Sequence, residues 1–254
     1  RDGENPVSDL RDTSLWLAIR HSAGGSPTAV IAAGRRGHRG WRGLAGGRRV
    51  RDDDGMGIVT PGFRGRGRSS DVELPPGQYL TRDFPVLSAG PTPRIPLDRW
   101  EFTVTTETGE EHRWSWQQLM GLPSETKTVD IHCVTKWSKL GTTWQGVSLD
   151  TLLADVDTAA DYALVHSYGG YTTNLPLEDL LDGQAWVAYR YDGEDLHSEH
   201  GGPARLLVPH LYFWKSAKWV RGIQLLLQDE PGFWETLGYH NYGDPWREQR
   251  YEGD

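Results

Sequence analysis

Short segments with the two-residue alternation of β-strands, separated by Gly and Pro turns, fill most of the chain after residue 95. Successive strand side chains point to opposite faces, so each such segment has an apolar face that must pack against another layer. The predicted strands are Phe102–Thr105, His112–Trp114, Thr128–His132, Tyr162–His166, Ala185–Tyr191, Leu206–Val208 and Val220–Leu227. Helical periodicity is confined to three short stretches, Trp116–Met120, Leu149–Val156 and Pro176–Leu181. The sequence therefore predicts an α+β fold that is rich in β-structure and has short helices.

The first 73 residues differ in composition from the rest of the chain. Residues 1–70 hold 13 Arg, no Lys and 7 acidic residues, whereas the remainder has a net charge of −14. Residues 1–70 also hold 14 of the 31 glycines, and such a segment has too little apolar surface to offset the entropy of ordering. We predict a disordered tail over 1–73 and one folded domain over 74–254. The Arg-Gly pattern is equally typical of GC-rich upstream DNA read as protein, with Met56 as the alternative start.

Charge, hydropathy and cysteine content exclude several classes of protein. The net charge of −8 argues against a protein whose main role is to bind nucleic acid. No stretch reaches the ~20 apolar residues of a membrane-spanning helix. No secretory signal is recognisable near the start, and we expect a cytoplasmic protein. The single cysteine, Cys133, excludes an internal disulfide and a cysteine-rich metal site.

Cys133 ends the predicted strand Thr128–His132, and the polar and aromatic segment after it is predicted to be a loop. A lone cysteine is commonly a small buried hydrophobe. Its place at a strand end, three residues before Lys136, also favours a thiolate offered to a cofactor or substrate. Zinc is disfavoured because His132 and Cys133 point to opposite sides of a strand. A Cys–His nucleophile stays open, since the chain has nine histidines that the fold can bring to the sulfur.

Basic residues cluster within the otherwise acidic folded part. Arg205 follows the bend Gly201-Gly202-Pro203, and Lys215, Lys218 and Arg221 lie among small residues shortly after it. Arg and Lys side chains beside freely approachable backbone N–H groups are suited to binding a phosphate. The cluster predicts an anion pocket; a solvated turn followed by a basic loop is the alternative interpretation.

Four motifs in this order resemble the molybdopterin-binding domain of the sulfite oxidase family, over residues 74–250. They are His132-Cys133-Val134-Thr135-Lys136-Trp137-Ser138, Ser167-Tyr168-Gly169-Gly170-Tyr171, the run from Ala188 to Pro209 that contains His200-Gly201-Gly202-Pro203-Ala204-Arg205, and Lys218-Trp219-Val220. The ending from Gly238 to Tyr251 is similar to the small bacterial single-domain members. The resemblance implies a sulfite-oxidase-type molybdopterin-binding fold with mixed sheets.

The resemblance also implies the cofactor and its contacts. It implies one molybdopterin, with Cys133 as the protein ligand to molybdenum. The residues expected to hold the pterin and its phosphate are Ser167, His200, Arg205, Ser216 and Lys218. Lys136 and Tyr171 are the expected substrate contacts. The family's chemistry is two-electron oxygen-atom transfer, and we expect electrons to pass to or from a separate redox partner.

The substrate implied by the resemblance is a small sulfite-like oxyanion or a sulfoxide. Sulfite oxidases carry further arginines after their cysteine, whereas here Val134-Thr135-Lys136-Trp137 leaves Lys136 as the near cation. This departure weakens the case for sulfite. The sequence favours a molybdenum-dependent oxidoreductase, and the alternative is a β-rich binding module of the same fold that takes no metal and merely buries Cys133.

Overall fold

The computed structural model describes residues 72–254, and almost all of the predicted tail, with Met56, lies outside these residues. The strands are β1 (Tyr79–Leu80), β2 (Glu101–Thr105), β3 (Glu111–Ser115), β4 (Glu125–His132), β5 (Trp137–Ser148), β6 (Tyr162–Ser167), β7 (Thr172–Pro176), β8 (Trp186–Tyr191), β9 (Glu194–Asp195), β10 (Arg205–Leu207) and β11 (Val220–Leu226). The helices are α1 (Trp116–Gly121), α2 (Leu149–Leu153) and 3₁₀ turns at Leu97–Arg99, Leu177–Leu180, Ser198–His200 and Glu235–Leu237. No helix of this part of the chain is long and apolar enough to cross a bilayer.

The strands form two mixed sheets. One sheet has the order β1-β5-β8-β10, with β4 also paired to β5 and β9 to β8, and the other has the order β3-β2-β11-β6-β7. The pairs β1–β5 and β2–β11 are parallel, and the other pairs are antiparallel. The predicted β-rich fold with mixed sheets and short helices is confirmed.

A serine caps the start of each of the two α-helices. Ser115 and Gln118 form a reciprocal capping box at the start of α1, and Ser148 accepts a hydrogen bond from the Thr151 N–H at the start of α2. Each cap satisfies a backbone donor that the first helical turn leaves unpaired. Helix α2 ends at Leu153, earlier than predicted, although Val156 still packs against the core.

The loop predicted after Cys133 is wrong, because Trp137–Ser148 forms the 12-residue strand β5. Glycine is commonly a turn residue. Gly141 and Gly146 therefore obscured the strand-like alternation of this segment. In the structure, a Cβ at Gly146 would lie 2.5 Å from the Val187 carbonyl oxygen. Gly146 therefore permits a close approach of β8 at a register irregularity between Gln145 and Gly146.

A separate cluster of buried side chains surrounds the end of β4. Its members include Ile131, Cys133, Trp137, Trp144 and Tyr212. The larger core between the sheets contains other residues, from β2, β6, β7 and β11 among them. Cys133 thus lies in an aromatic layer beside the main core, where a cleft can form without opening that core.

Candidate active site

Cys133 begins the tight turn that joins β4 to β5. The Cys133 N–H donates to the Trp137 carbonyl, and the Lys136 N–H donates to the Cys133 carbonyl, both at 2.9 Å. Lys136 closes the turn with a φ of 76°, the left-handed region that side chains other than glycine rarely adopt. A turn this short leaves the cysteine little freedom, so its sulfur is held at the strand end.

The Cys133 sulfur is buried, and Thr135 Oγ1 donates a hydrogen bond to it at 3.2 Å. Burial raises the pKa of the thiol, and the Thr135 hydrogen bond and the Arg250 charge act in the opposite direction. Among residues 72–254, no histidine is hydrogen-bonded to this sulfur. The Cys–His nucleophile left open by the sequence is therefore not assembled there.

Two residues that sequence reasoning missed hold this turn from outside. Arg250 Nη1 donates to the Val134 carbonyl at 2.8 Å and Nη2 to the Pro76 carbonyl at 3.0 Å. Gln78 Nε2 donates to the Cys133 carbonyl at 3.0 Å. Arg250 is 4% exposed, which is rare for arginine. Nothing local in the sequence distinguishes it from exposed Arg247, three positions earlier.

Cys133 lines a cavity of about 380 Å³, within the size range of small-molecule sites. The predicted site residues that line it are Cys133, Tyr171, His200, Arg205, Ser216 and Lys218. No acidic side chain of the described residues lines it. The fold thus brings the cysteine motif and the predicted anion pocket together in one cavity.

Two predicted site residues lie outside the lining of this cavity. Lys136 is exposed; its N–H bonds back to Cys133 and its carbonyl accepts from the Tyr79 N–H. Ser167 is 6% exposed, and its Oγ has no hydrogen-bond partner among residues 72–254. The substrate role of Lys136 and the cofactor role of Ser167 stay predictions.

The cationic face of the cavity is defined as Arg205 and Lys218, with His200 beside them, and no acidic side chain of residues 72–254 lines the cavity. Arg205 is 2% exposed and donates to the His200 carbonyl at 2.8 Å and the Ser216 carbonyl at 2.6 Å. Its guanidinium carbon lies 4.0 Å from the centre of the Phe213 ring. Burial lowers the pKa of Arg205 to about 9, so the group still carries its charge at pH 7.

The same surroundings lower the pKa values of Lys218 and His200. Burial, and next the Arg205 charge, lowers the pKa of Lys218 to about 7 and that of His200 to about 4. Lys218 Nζ donates to the Glu199 carbonyl at 2.7 Å. A Cβ at Gly201 would meet Arg205 Cβ at 3.0 Å and Lys218 Cα at 3.1 Å, so the glycine bend lies directly against both cations. An anion bound here would relieve the electrostatic cost of the two cations, Arg205 and Lys218.

Five aromatic residues that line the same cavity form an aromatic wall, defined as Tyr171, Phe233, Trp234, Tyr239 and Trp214. Neighbouring ring centres along this series are 6.0, 5.0, 4.9 and 5.1 Å apart. The Tyr171 hydroxyl donates to the Trp214 carbonyl at 2.7 Å. Burial, and next the Glu235 charge, raises the pKa of Tyr171 well above 10, so its phenol stays protonated.

The extended segment 84–93, which we call the strap, covers part of the cavity. Phe84 stacks on His200 with ring centres 4.0 Å apart and an interplanar angle of 12°. It also contacts Trp137, Trp144 and Phe213 through tilted or edge-on ring pairs. Phe84 therefore anchors this Pro-rich segment beside the cationic face.

The sequence matches the family described as "Oxidoreductase molybdopterin binding domain" over residues 89–234. The chain belongs to this family. It is 44% identical over 197 residues to the uncharacterized oxidoreductase YuiH of Bacillus subtilis, covering 76% of this chain and 100% of YuiH. It is 26% identical over 175 residues to the putative protein-methionine-sulfoxide reductase subunit YedZ1 of Azospira oryzae, covering 66% of each chain. The sulfane dehydrogenase SoxCD of Paracoccus pantotrophus matches with a TM-score of 0.48 and 20% identity, over 54% of this chain and 41% of that one.

A member of this molybdopterin-binding family is an oxidoreductase with molybdopterin as its cofactor, and the cavity fits that cofactor. No carboxylate within residues 72–254 is paired with Arg205 or Lys218. A bound phosphate group can supply the missing negative charge. The Cys133 sulfur is a soft donor, of the kind suited to the metal of a molybdopterin cofactor. No group of three or more His, Cys, Asp or Glu residues within 72–254 is arranged to hold a metal ion by itself.

The hydroxyl of Ser216, a predicted cofactor contact in this molybdopterin-binding fold, already has a protein partner. Ser216 Oγ accepts from the Val208 N–H at 2.9 Å. Ser216 is 2% exposed, and its carbonyl accepts from Arg205. Ser216 therefore lines the cavity and also fixes the Arg205 side chain, a role that the sequence did not indicate.

Proposed function

We propose that this protein catalyses two-electron oxygen-atom transfer on a small uncharged substrate, a sulfoxide rather than an oxyanion, at a molybdenum atom bound by the Cys133 thiolate. The observation that carries the proposal is that Cys133, Arg205 and Lys218 line one cavity. When bound, the cofactor supplies a metal that exchanges two electrons and an oxygen atom with the substrate.

The chain's own residues have distinct roles in this proposal. Arg205 and Lys218 hold the phosphate, and His200, neutral at pH 7 because its pKa is about 4, presents an uncharged imidazole beside them. Thr135 donates to the cysteine sulfur and so tunes the electron density that the sulfur offers to the metal. Tyr171 shapes the substrate side of the cavity, since its hydroxyl proton is already donated to the Trp214 carbonyl.

The aromatic wall supports a sulfoxide over an oxyanion. It contains no cation, and Lys136, the near cation in the sequence, is exposed outside the cavity lining. The name of YedZ1, a putative protein-methionine-sulfoxide reductase subunit, supports the same choice. Reduction of a sulfoxide consumes two electrons and two protons and releases a thioether and water.

A separate redox partner supplies the electrons in this proposal. YedZ1 is named as a subunit, which supports electron supply by a separate protein. The cytoplasmic location expected from the sequence stays a prediction.

Metal analysis and one substitution test the proposal. Protein purified from a host that makes the cofactor should hold about one molybdenum per chain. Cys133→Ser should lower dimethyl sulfoxide reduction with a viologen donor at least about 100-fold and leave the circular dichroism spectrum unchanged. Thr143→Ser, on β5 away from the cavity lining, is the matched control.

Metal-free, inactive protein from such a host would favour the β-rich binding module instead. That alternative predicts a cysteine enclosed by hydrocarbon alone. Full activity of Cys133→Ser would overturn the assignment of Cys133 as the metal ligand. Faster oxidation of sulfite with ferricyanide than reduction of any sulfoxide would keep the molybdenum assignment and overturn the substrate assignment.

A further inference from the structure

A buried ion pair lies behind the aromatic wall. Lys215 Nζ is 2.6 Å from Glu235 Oε1, and each side chain is 1% exposed. Lys215 Nζ also donates to the Asn174 carbonyl at 2.8 Å, Asn174 Oδ1 at 3.0 Å and the Asn241 carbonyl at 2.6 Å. Neither Lys215 nor Glu235 lines the cavity, so the cofactor roles derived above do not use this pair.

The Glu235 carboxylate binds the wall directly. Its Oε1 accepts from the Trp214 indole N–H at 2.9 Å and from Thr173 Oγ1 at 2.8 Å. Trp214 and Lys215 are adjacent in sequence, and Glu235 directly follows Phe233 and Trp234. One ion pair therefore joins the two segments that supply most rings of the wall.

Further bonds extend this connection to the rest of the wall. The Trp214 carbonyl accepts from the Tyr171 hydroxyl at 2.7 Å, and the Phe233 N–H donates to the Thr172 carbonyl of β7 at 2.9 Å. The Tyr239 N–H donates to the Trp234 carbonyl at 3.0 Å. Each ring is thus tied to the pair through at most one intermediate residue.

Stability alone does not explain a buried pair at this place. Buried ion pairs are commonly no more stabilising than apolar side chains of the same volume, because both charges lose their hydration. What an apolar pair cannot supply is an acceptor for the directional hydrogen bond that the Trp214 indole N–H donates to Glu235, which fixes the plane of the indole. The pair therefore specifies the orientation of the wall.

We propose that Lys215 and Glu235 are positioning residues that set the orientation of Trp214, and through it the selectivity of the cavity for uncharged substrates with an aryl group beside the sulfoxide. This inference rests on the proposed function, because it places the substrate against the aromatic wall. An aryl ring packs edge-to-face or offset on such a wall, and a sulfur atom makes favourable contacts with aromatic rings. Both kinds of contact depend on the orientation of the wall's rings, whereas the binding of a methyl substituent depends on it far less.

The test replaces the pair by apolar residues in the holoenzyme. Lys215→Met with Glu235→Leu avoids the stranded buried charge that either single substitution leaves. The ratio of kcat/KM for methyl phenyl sulfoxide to that for dimethyl sulfoxide should fall about tenfold. Binding of thioanisole, followed by tryptophan fluorescence quenching, should weaken by a similar factor while molybdenum content stays at the unaltered level.

The chain offers a matched control pair on its surface. Glu125 accepts from the Trp186 indole N–H at 3.1 Å and pairs with Lys127 at 2.9 Å, but both charged side chains are about 40% exposed and neither lines the cavity. Lys127→Met with Glu125→Leu should change neither the kcat/KM ratio nor thioanisole binding. An equal loss in this control would mean that the effect is unspecific and would overturn the inference.

Trp214→Phe tests whether the Lys215–Glu235 pair affects selectivity by way of the Trp214 side chain. If the pair acts through the indole, adding Trp214→Phe to the Lys215→Met, Glu235→Leu variant should lower selectivity little further, whereas additive losses would overturn the inference. Unchanged thioanisole binding and unchanged selectivity in the apolar-pair variant would also overturn it. If the unaltered enzyme reduces no sulfoxide but the pair variant still binds thioanisole more weakly than the control, the proposed function fails and the positioning role stands.

Discussion

At the residue scale, the decisive property of the site is a set of cations without carboxylates. Arg205 forms its hydrogen bonds with backbone carbonyls, and no carboxylate of the described residues is within ion-pair distance of it or of Lys218. Such groups are held in place before the anion arrives, so little ordering is needed on binding. Burial is the main reason that the pKa values of Arg205 and Lys218 are lowered in the cofactor-free protein.

Lys218 gives the first pH prediction. Its pKa of about 7 lies below the ordinary 10.5, so between these values the folded protein binds fewer protons here than the unfolded chain, and the free energy of unfolding rises with pH over that interval. An anion favours the charged form. The affinity of cofactor-free protein for sulfate should therefore fall above pH 7, by up to about tenfold per pH unit, when measured by calorimetry from pH 6 to 9.

Two variants check that Lys218 is responsible. Lys218→Arg should flatten the pH profile because arginine stays charged throughout this range, and Lys218→Met should bind sulfate weakly at every pH. His200 has a pKa of about 4 and Arg205 a pKa of about 9, so neither changes its charge much between pH 6 and 8. The change in sulfate affinity over this interval is therefore assigned to Lys218. A sulfate affinity that does not vary with pH in the unaltered protein would contradict this assignment.

At the element scale, Phe84 is the aromatic anchor of the strap. It lies among the rings of His200, Trp137, Trp144, Tyr191 and Phe213, and the strap forms no strand pairing with other residues of 72–254. Phe84→Ala removes these contacts, and for a half-buried ring we expect a loss of about 2 kcal/mol in unfolding free energy. Hydrogen exchange of the 84–93 amides should become faster, and less cofactor should remain bound after gel filtration.

Val86 provides the control for the strap prediction. It lies on the same segment, is partly buried and is absent from the cavity lining. Val86→Ala should change the unfolding free energy by less than about 1 kcal/mol and leave cofactor retention unaltered. Equal effects of both substitutions would show that Phe84 is not a special anchor.

At the scale of the whole molecule, Arg250 connects three distant parts of the chain. Its hydrogen bonds reach Val134 and Pro76, 116 and 174 positions away. Arg250→Met leaves both carbonyls without this donor, so we expect a loss of about 2–4 kcal/mol in unfolding free energy. The amides of the Cys133–Trp137 turn should exchange faster in cofactor-free protein, as measured by mass spectrometry.

Arg247, exposed and three positions away, is the matched control for Arg250. Arg247→Met should alter the unfolding free energy by no more than about 0.5 kcal/mol and leave exchange in the cysteine turn unchanged. The prediction is contradicted if Arg250→Met behaves in the same way.

Local chemistry made much of the fold predictable. Alternation located most strands. Ser115 and Ser148 are residue types that favour helix starts, and Asp192-Gly193 forms the turn between β8 and β9, where both residues adopt positive φ. Strand β5 was missed because its glycines serve interstrand contact, as Gly146 does against Val187. Whether a glycine forms a turn or allows another strand to approach closely depends on a neighbour that lies outside the local sequence.

By itself, the sequence determined that a cysteine stands at a strand end, that basic residues gather from 205 to 221 in an acidic domain, and that these motifs belong to one family. Only the tertiary structure decided which of these residues share a cavity, placing Lys136 in solvent and Ser167 outside the lining. It also revealed Arg250, the strap anchor Phe84 and the Lys215–Glu235 pair. Periodicity and turn chemistry act between near neighbours, whereas a buried charge is defined by partners that only folding brings within hydrogen-bond distance.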